Sequence, residues 1–293
     1  MAKKYIHSDR VGYVFIAPYY VFLFLFILLP IIVNFFLSFT NYNLNQMDFI
    51  GWRNYIRMFS DSILIKSIAN TLSYTILTMI FSIAGGLAIA IFLANTGKMI
   101  GVFRTAVFLP YVISMACAAM IWLWIFEPGY GLLNQIIIDL GGKSQNWVYD
   151  YKLAMGCIIT VSVWKLIGYN MIIFTAGLLN IPAQLYEAAK IDGVNAFQKL
   201  WYMTLPMLRP TTFFLIVTGF INNFNVFEQV NILTGGGPIN STTTIMHQVY
   251  LNGFVNYKFG YASSITVIIF VIVSVITVIN FRYGSKGQDL DLS

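Results

Sequence analysis

The side chains that could do chemistry in this sequence are polar amides and single charges set inside long apolar runs. Four polar residues recur at a helical spacing, and at 100° per residue they would share one face within about 60°: Thr218, Asn222, Asn225 and Gln229. Amides hydrogen-bond hydroxyl groups, and an aromatic face such as that of Phe227 packs against the C–H side of a sugar ring. Because polar groups that face lipid are costly, this stripe predicts a path for a hydroxyl-rich solute.

A second interpretation of the stripe stays open, since amides in membranes also bond to neighbouring helices of a bundle. Lys165 and Glu228 are the formal charges well inside apolar runs, and an ionisable residue there is a functional-site hypothesis by default. Lys165 shares a helical face with Ser162 and Tyr169. We expect Lys165 either to contact the solute, or to pair with Glu228 or extend its long stem towards water.

Residues for bond chemistry, metal binding or nucleotide binding are missing from the pattern. His7 and His247 lie far apart, and Cys117 and Cys157 fall inside apolar stretches, so neither a metal site nor a disulfide framework is expected. The sequence contains no GxxxxGK[ST] phosphate loop, and no Ser/His, paired Asp or His cluster at membrane depth, which disfavours an intramembrane enzyme. A stand-alone ion-coupled transporter is disfavoured as well, because buried acids are scarce and no internal repeat is evident.

The composition places these residues in a membrane. Of 293 residues, 58% are hydrophobic and 10% are charged, whereas a soluble domain carries about 25% charged residues. The net charge of +6 would suit nucleic acid in a soluble protein, but here the basic residues lie between apolar runs, without interleaved stacking aromatics. We therefore expect a lipid bilayer as a partner of this chain, and no nucleic acid.

Charge-poor runs of roughly 20 residues or more predict six membrane-spanning helices: Tyr13–Phe39, Asn70–Leu93, Thr105–Phe126, Leu153–Leu179, Thr211–Leu233 and Phe259–Phe281. Helices are expected because backbone in hydrocarbon must bond to itself, and the alternation of a β-barrel strand is absent. The first run is too long for a cleavable signal peptide, so we expect it to be retained. The predicted fold class is an all-α, polytopic transmembrane helical bundle, with residues 1–293 as a single transmembrane domain.

The basic residues favour an arrangement in which both termini are cytoplasmic. With the N-terminus inside, ten of them fall on inner segments: Lys3, Lys4, Arg10, Lys98, Arg104, Lys190, Lys199, Arg209, Arg282 and Lys286. Six fall on outer segments: Arg53, Arg57, Lys66, Lys143, Lys152 and Lys258.

The inner loop between the fourth and fifth runs, residues 181–210, has the pattern of two helices joined by a glycine. Pro182 suits the start of the first helix, and Gly193 stands where that helix should end. Asn195, followed three residues later by Gln198, predicts a capping box that opens the second helix. The loop is therefore expected to be ordered.

The first of these helices has the composition of a docking surface. Ala188 and Ala189 allow the close approach of another backbone, and flanking residues supply an aromatic ring and charges: Leu185, Tyr186, Glu187, Lys190 and Asp192. An amphipathic helix that lies on the inner leaflet would have the same ingredients. The residues alone leave both interpretations open.

The stretch EAAKIDGVNAFQKLWYMTLPMLRP resembles the EAA loop of ABC-importer permeases. In that loop the fourth residue after EAA is Gly, and Leu-Pro comes near the end. The matching residues are Glu187, Ala188, Ala189, Asp192, Gly193, Leu205 and Pro206. Four further segments are similar to the carbohydrate branch of these permeases: Phe49–Asp61, Phe103–Ser114, Gly168–Pro182 and Leu233–Thr244. They resemble in particular the subunit that pairs with a second, non-identical permease in oligosaccharide or polyol-phosphate importers.

This resemblance implies a type I ABC-importer permease fold in a bacterial or archaeal cytoplasmic membrane, with the 181–210 loop in the cytoplasm. It implies a coupling helix that docks on an ATPase subunit through Tyr186, Glu187, Ala188, Ala189, Asp192 and Gly193. The implied partners are a second homologous permease, two ATPase subunits and an extracytoplasmic solute-binding protein.

The same resemblance implies that this chain is no enzyme and binds no cofactor, because ATP and magnesium would sit on the ATPase subunits. The expected solute is a sugar or oligosaccharide, and the alternative is a polyol phosphate or another polar solute. Few basic residues lie on the predicted path, which disfavours a phosphorylated solute.

Overall fold

The computed structural model describes residues 6–94 and 100–284, and within these residues the chain is helical apart from its loops and one isolated bridge between Thr40 and Phe49. The first eight helices are α1 Ile6–Leu23, α2 Leu29–Leu37, α3 Arg53–Ser60, α4 Ser62–Ala94, α5 Ile100–Val112, α6 Met115–Ile125, α7 Leu132–Asp139 and α8 Ala154–Leu179. The others are α9 Ala183–Ile191, α10 Ala196–Lys199, α11 Leu205–Met207, α12 Arg209–Phe224, α13 Glu228–Leu233, α14 Ile245–Tyr250 and α15 Phe259–Gly284. The all-α fold class is therefore confirmed.

Within the described residues, up to six candidate spans are present if each bent helix pair counts as one. Four stretches are long and apolar enough to cross a membrane unbroken: Gly12–Leu37, Ser62–Ala94, Ala154–Leu179 and Phe259–Asn280. Two pairs pass the same criterion together but are bent: Gly101–Val112 with Met115–Ile125 by 98°, and Ala196–Met207 with Arg209–Phe224 by 62°.

The third predicted span, Thr105–Phe126, is corrected from one continuous run to two helices. Pro110 has no N–H to donate within α5, which weakens the last turns of that helix. The Ser114 side chain then accepts a hydrogen bond from the Cys117 N–H over 3.2 Å, which caps the start of α6. A proline and a capping serine four residues apart account for the break inside an apolar sequence.

The fifth predicted span, Thr211–Leu233, is corrected as well, because α12 ends at Phe224 and α13 begins at Glu228. Asn225 terminates α12, and its Nδ2 donates to the Ile221 carbonyl over 2.9 Å. A side chain that bonds the backbone of its own last turn competes with continuation of the helix. The assumption of one helical face for four residues, Thr218 to Gln229, therefore fails at Asn225.

The described parts of the chain form two compact units. The first comprises Met1–Asp61 with Val249–Val271, and the second comprises Ser62–Gln248 with Ile272–Ser293. Each unit holds a membrane-spanning stretch of its own, so the single domain predicted over residues 1–293 stays a prediction. Lys3, Lys4, Lys98 and Lys286, four of the basic residues used for orientation, lie outside the described residues.

The second unit is organised around the packing of α4 on α8. At Gly86 a Cβ atom would lie 2.5 Å from the Asn170 Cβ and 2.9 Å from the Met171 backbone nitrogen, so only glycine permits this approach. At Gly168 a Cβ atom would collide with the backbone of Val107 and Phe108, which brings α5 equally close to α8. Gly86 and Gly168 thus allow α4, α5 and α8 to pack closely around the polar residues of the candidate site.

Candidate functional site

A cavity of about 410 Å³ lies among α4, α6, α8 and the chain that follows α12. Its uncharged polar lining consists of Tyr74, Ser162, Asn222, Asn223, Asn225 and Gln229, and Lys165 and Glu228 add one charge of each sign. The remaining lining is apolar: Met115, Leu166, Val226, Phe227 and Met246. Its size falls in the range of about 300–1,000 Å³ found for small-molecule sites. The lining offers hydrogen-bonding groups, an aromatic ring and no net formal charge.

The Lys165 ammonium group is bound by the backbone at the break between α5 and α6. Its Nζ donates to the Tyr111 carbonyl over 2.7 Å and to the Ile113 carbonyl, and the Pro110 carbonyl lies at 3.4 Å. These carbonyls lie where α5 ends and lacks helical partners, and a cation suits the C-terminal end of a helix. The alternative of an ion pair is corrected: within the described residues Lys165 makes none with Glu228, because carbonyls take its donors.

Three side chains from different helices form a buried hydrogen-bonded cluster at the edge of the cavity. The Tyr74 hydroxyl donates to Ser162 Oγ over 2.9 Å, and Gln229 Nε2 donates to the Tyr74 hydroxyl over 2.8 Å. Gln229 Nε2 also lies 3.2 Å from Ser162 Oγ. The nitrogen of Gln229 therefore bonds neighbouring helices, as the second interpretation of the polar stripe expected.

A smaller cavity of about 40 Å³ adjoins the first and shares Leu166, Asn222 and Asn223 with it. Tyr169 and Tyr111 stack beside it with ring centroids 5.0 Å apart and an interplanar angle of 23°. Thr218 also lines this smaller cavity, and its hydroxyl donates to the Phe214 carbonyl one turn earlier over 2.7 Å. An aromatic pair thus stands next to the amide of Asn222.

The eight residues predicted for the solute path all line one of these two adjoining cavities. Six line the larger one: Lys165, Asn222, Asn225, Phe227, Glu228 and Gln229. Tyr169 and Thr218 line the smaller one. They come together because the chain turns at Asn225–Phe227, and not because they share a helical face. Whether a solute contacts them stays a prediction.

The loop at residues 181–210 has the predicted helix–glycine–helix form. α9 ends in a Schellman motif, in which the Val194 N–H donates to the Ala189 carbonyl over 3.0 Å and the Gly193 N–H to the Lys190 carbonyl over 3.3 Å. Gly193 has φ +72°, a conformation that favours glycine. The capping box of Asn195 and Gln198 is present in both directions.

The residues predicted to couple this loop to another protein differ in exposure. Glu187, Ala188, Asp192 and Gly193 are exposed, whereas Ala189 is buried and Tyr186 is half-buried. The Tyr186 hydroxyl lies 3.2 Å from Thr204 Oγ1, and the Lys199 Nζ lies 5.6 Å from the centroid of the Tyr186 ring. Tyr186 and Ala189 therefore anchor α9 to its own chain, and the four exposed residues present a surface.

Two residues that shape the cavities, Tyr111 and Tyr74, were not predicted from the sequence. Tyr111 contributes both the carbonyl that binds Lys165 and the ring that stacks on Tyr169. Pro110 beside it, with Ser114 four residues after Pro110, was the available signal for a break at this point. Tyr74 gave no signal, because an isolated tyrosine in an apolar run is common at any depth of a bundle.

Comparison with known proteins shows which family the chain belongs to. The family described as "Binding-protein-dependent transport system inner membrane component" matches residues 86–285. The chain is 35% identical over 240 residues to the sn-glycerol-3-phosphate transport system permease protein UgpA of Agrobacterium fabrum, with 82% of each protein covered. It is 33% identical over 281 residues to the arabinooligosaccharides transport system permease protein AraP of Bacillus subtilis, which covers 94% of this chain and 90% of AraP.

The fold is similar to that of a solved ABC transporter. The matching structure is a chain of a bacterial ABC transporter involved in the import of the acidic polysaccharide alginate, with a TM-score of 0.87 and 22% sequence identity. The match covers 97% of this chain and 98% of the other. Fold, membrane-spanning helices and sequence agree, and the chain belongs to the family of inner membrane components of binding-protein-dependent transport systems.

Proposed function

We propose that this chain is one of two permease subunits of an ATP-driven importer and that its two adjoining cavities form half of a path for a sugar or oligosaccharide. The observation that carries the proposal is the lining of the larger cavity, where six uncharged polar side chains, among them Tyr74, stand with the ring of Phe227. Hydroxyl groups both donate and accept hydrogen bonds, and amide side chains do the same.

The charges of the cavity favour a neutral solute over a phosphorylated one. Lys165 is the cation among the described lining residues, and its donors bind the carbonyls of the α5–α6 break. Glu228 lies exposed in the same lining and would repel a phosphate group. A phosphate site is usually built from charge-assisted donors that converge on the anion. A polyol phosphate, the solute class named for UgpA, is therefore the second candidate.

The proposal includes partners that supply what this chain lacks. A second, homologous permease would close the other half of the path, and an extracytoplasmic binding protein would deliver the solute. Two ATPase subunits would bind ATP and magnesium, so this chain would hold no cofactor and catalyse no hydrolysis. Both termini and the 181–210 loop would lie in the cytoplasm, where the exposed face of α9 would dock on an ATPase subunit.

The bent helix pair Ala196–Met207 with Arg209–Phe224 suggests how docking could reach the cavity. The 181–210 loop leads through a 62° bend into α12, and the end of α12 at Asn225 lines the larger cavity. A movement of α9 would therefore be transmitted along α12 to the polar residues of the larger cavity. ATP binding would shift the bundle between an inward-open and an outward-open arrangement through this connection.

The proposed solute class is tested by uptake into proteoliposomes that contain the complete transporter with its binding protein. Labelled arabinotriose, maltotriose and sn-glycerol 3-phosphate are the probes, and ATP is enclosed in the vesicles. We expect ATP-dependent uptake of at least one of the two oligosaccharides. Uptake of the glycerol phosphate alone would contradict the proposed solute class and favour the second candidate.

A further inference from the structure

A separate cavity of about 830 Å³ lies beside the 181–210 loop and shares no lining residue with the two cavities of the proposed solute path. Three membrane-spanning helices contribute to it where they approach this loop: the last residues of α4, the first turns of α5 and the last turns of α8. Its walls are largely apolar and include Ile91, Leu93, Leu178, Leu179, Phe197 and Leu200. It thus lies at the ends of apolar helices and next to the predicted docking loop.

Two basic side chains line this apolar cavity, Arg104 and Lys199, and no acid lines it among the described residues. Arg104 Nε is buried and has no hydrogen-bond partner in the part of the chain that the structure describes. The Lys199 ammonium group faces the Tyr186 ring at 5.6 Å. Both residues are half-buried, and a cation that is partly withdrawn from water into apolar surroundings is stabilised by an accompanying anion. The cavity is therefore complementary to an anion.

We propose that this cavity binds an anionic phospholipid of the cytoplasmic leaflet, with its phosphate between Arg104 and Lys199 and an acyl chain along the apolar wall. The apolar walls decide between a lipid and a free phosphate, because a small anion would leave them unused. Basic pockets between membrane helices on the cytoplasmic side bind lipid head groups in this way. The choice of leaflet rests on the orientation given under the proposed function.

A lipid in this position would touch the root of the docking loop. Tyr186 and Thr204, which lie 3.2 Å apart through their hydroxyl oxygens, both line the cavity. An occupant there packs against the residues that hold α9 to the second helix of the loop. The lipid would thus brace the loop from the side that faces the membrane, and α9 would stay exposed for a partner.

Native mass spectrometry of the complete transporter tests this proposal without any transport assay. The protein is exchanged into detergent that contains equal amounts of phosphatidylglycerol and phosphatidylcholine, and the bound lipids are counted. We expect phosphatidylglycerol to be retained preferentially, and the R104Q/K199Q variant to reduce that retention by about tenfold or more. The A196W variant keeps both charges but fills the cavity from the Ala196 position, and it should have the same effect.

The matched control is R209Q/R282Q, which removes two exposed basic residues outside the cavity. Equal loss of phosphatidylglycerol in this control would overturn the proposal, since a general attraction to positive charge would then suffice. Displacement of the lipid by 10 mM inorganic phosphate would overturn it too, because the site would then take a small anion. Retention that appears only after the ATPase subunits are removed would show that a protein occupies the cavity.

Discussion

The Lys165 ammonium group donates to the Tyr111 backbone carbonyl over 2.7 Å, and this bond joins α8 to the break between α5 and α6. A bend of 98° leaves the carbonyls at the end of α5 without helical partners. In a membrane such groups must be satisfied within the protein. Lys165 therefore stabilises the bend, and through Tyr111 it also places the ring that stacks on Tyr169 beside the smaller cavity.

The K165M substitution tests this bond. Removing the ammonium group leaves the carbonyls of Tyr111 and Ile113 without their donor, so we expect a loss of about 1.5–3 kcal/mol in the free energy of unfolding of the assembled transporter. The same free-energy difference corresponds to a factor of about ten or more in a rate, and we expect uptake to fall by this factor. The measurements are chemical denaturation in detergent and proteoliposome uptake. K152M, which removes an exposed lysine, is the control. Unchanged stability and uptake in K165M would rule out this role.

Gly168→Ala tests the close contact of α5 with α8. The added Cβ would collide with the backbone of Val107 and Phe108, and overpacking of this kind costs about 1–3 kcal/mol. The control is Gly156→Ala in the same helix, where a Cβ would meet nothing within 4 Å. Thermal unfolding of the two purified variants is the measurement. We expect a lower melting temperature for G168A alone, and equal behaviour of the two variants would contradict the close contact.

The sequence was sufficient for the fold class, for the membrane runs and for the helix–glycine–helix form of the 181–210 loop. Each of these depends on local signals, namely apolar run length, a glycine at the end of a helix and a capping box. The two helix breaks were missed for one reason. Apolar run length does not register the local hydrogen bonds that break a helix, such as those of the Ser114 and Asn225 side chains.

Asn222→Ala and Asn225→Ala test the proposed solute contacts. Each loses one amide from the lining of the larger cavity, and a neutral hydrogen bond contributes about 0.5–1.5 kcal/mol, so we expect KM for the transported oligosaccharide to rise about two- to tenfold. Asn231→Ala is the control, because Asn231 is exposed and lines neither cavity. Transport kinetics with unchanged assembly are the measurement. An unchanged KM in both test variants would assign these amides to helix packing.

The polar stripe was predicted on one continuous helix, which is wrong, yet its residues lie close together in the structure. All eight predicted residues line the two cavities, yet the helix assumed for Thr218 to Gln229 ends at Phe224. The pattern predicted this grouping because polar residues avoid lipid whatever the backbone does, and contact of these residues with a solute stays a prediction. The pattern could not show that the Gln229 amide nitrogen bonds Tyr74 and Ser162, because Gln229 lies 155 positions from Tyr74 and 67 positions from Ser162 in the sequence.

We propose that the exposed face of α9 couples this chain to an ATPase. Gly193→Pro tests it, because proline fixes φ near −65° and cannot adopt the +72° of Gly193, so the Schellman motif at the end of α9 is lost. Gly141→Pro is a matched control. Gly141 follows α7 with φ +81°, and the Gly141 and Gly142 N–H groups donate to the carbonyls of Ile138 and Ile137 in the same pattern.

Glu187→Ala adds a test of the exposed carboxylate, with exposed Asp139→Ala as its control. The decisive measurement is the ratio of solute imported to ATP hydrolysed in proteoliposomes, together with co-purification of the ATPase subunits. We predict that G193P and E187A lower the ratio or the docking by about tenfold, while G141P and D139A leave both unchanged. Full docking and an unchanged ratio in both G193P and E187A would contradict the coupling role of α9.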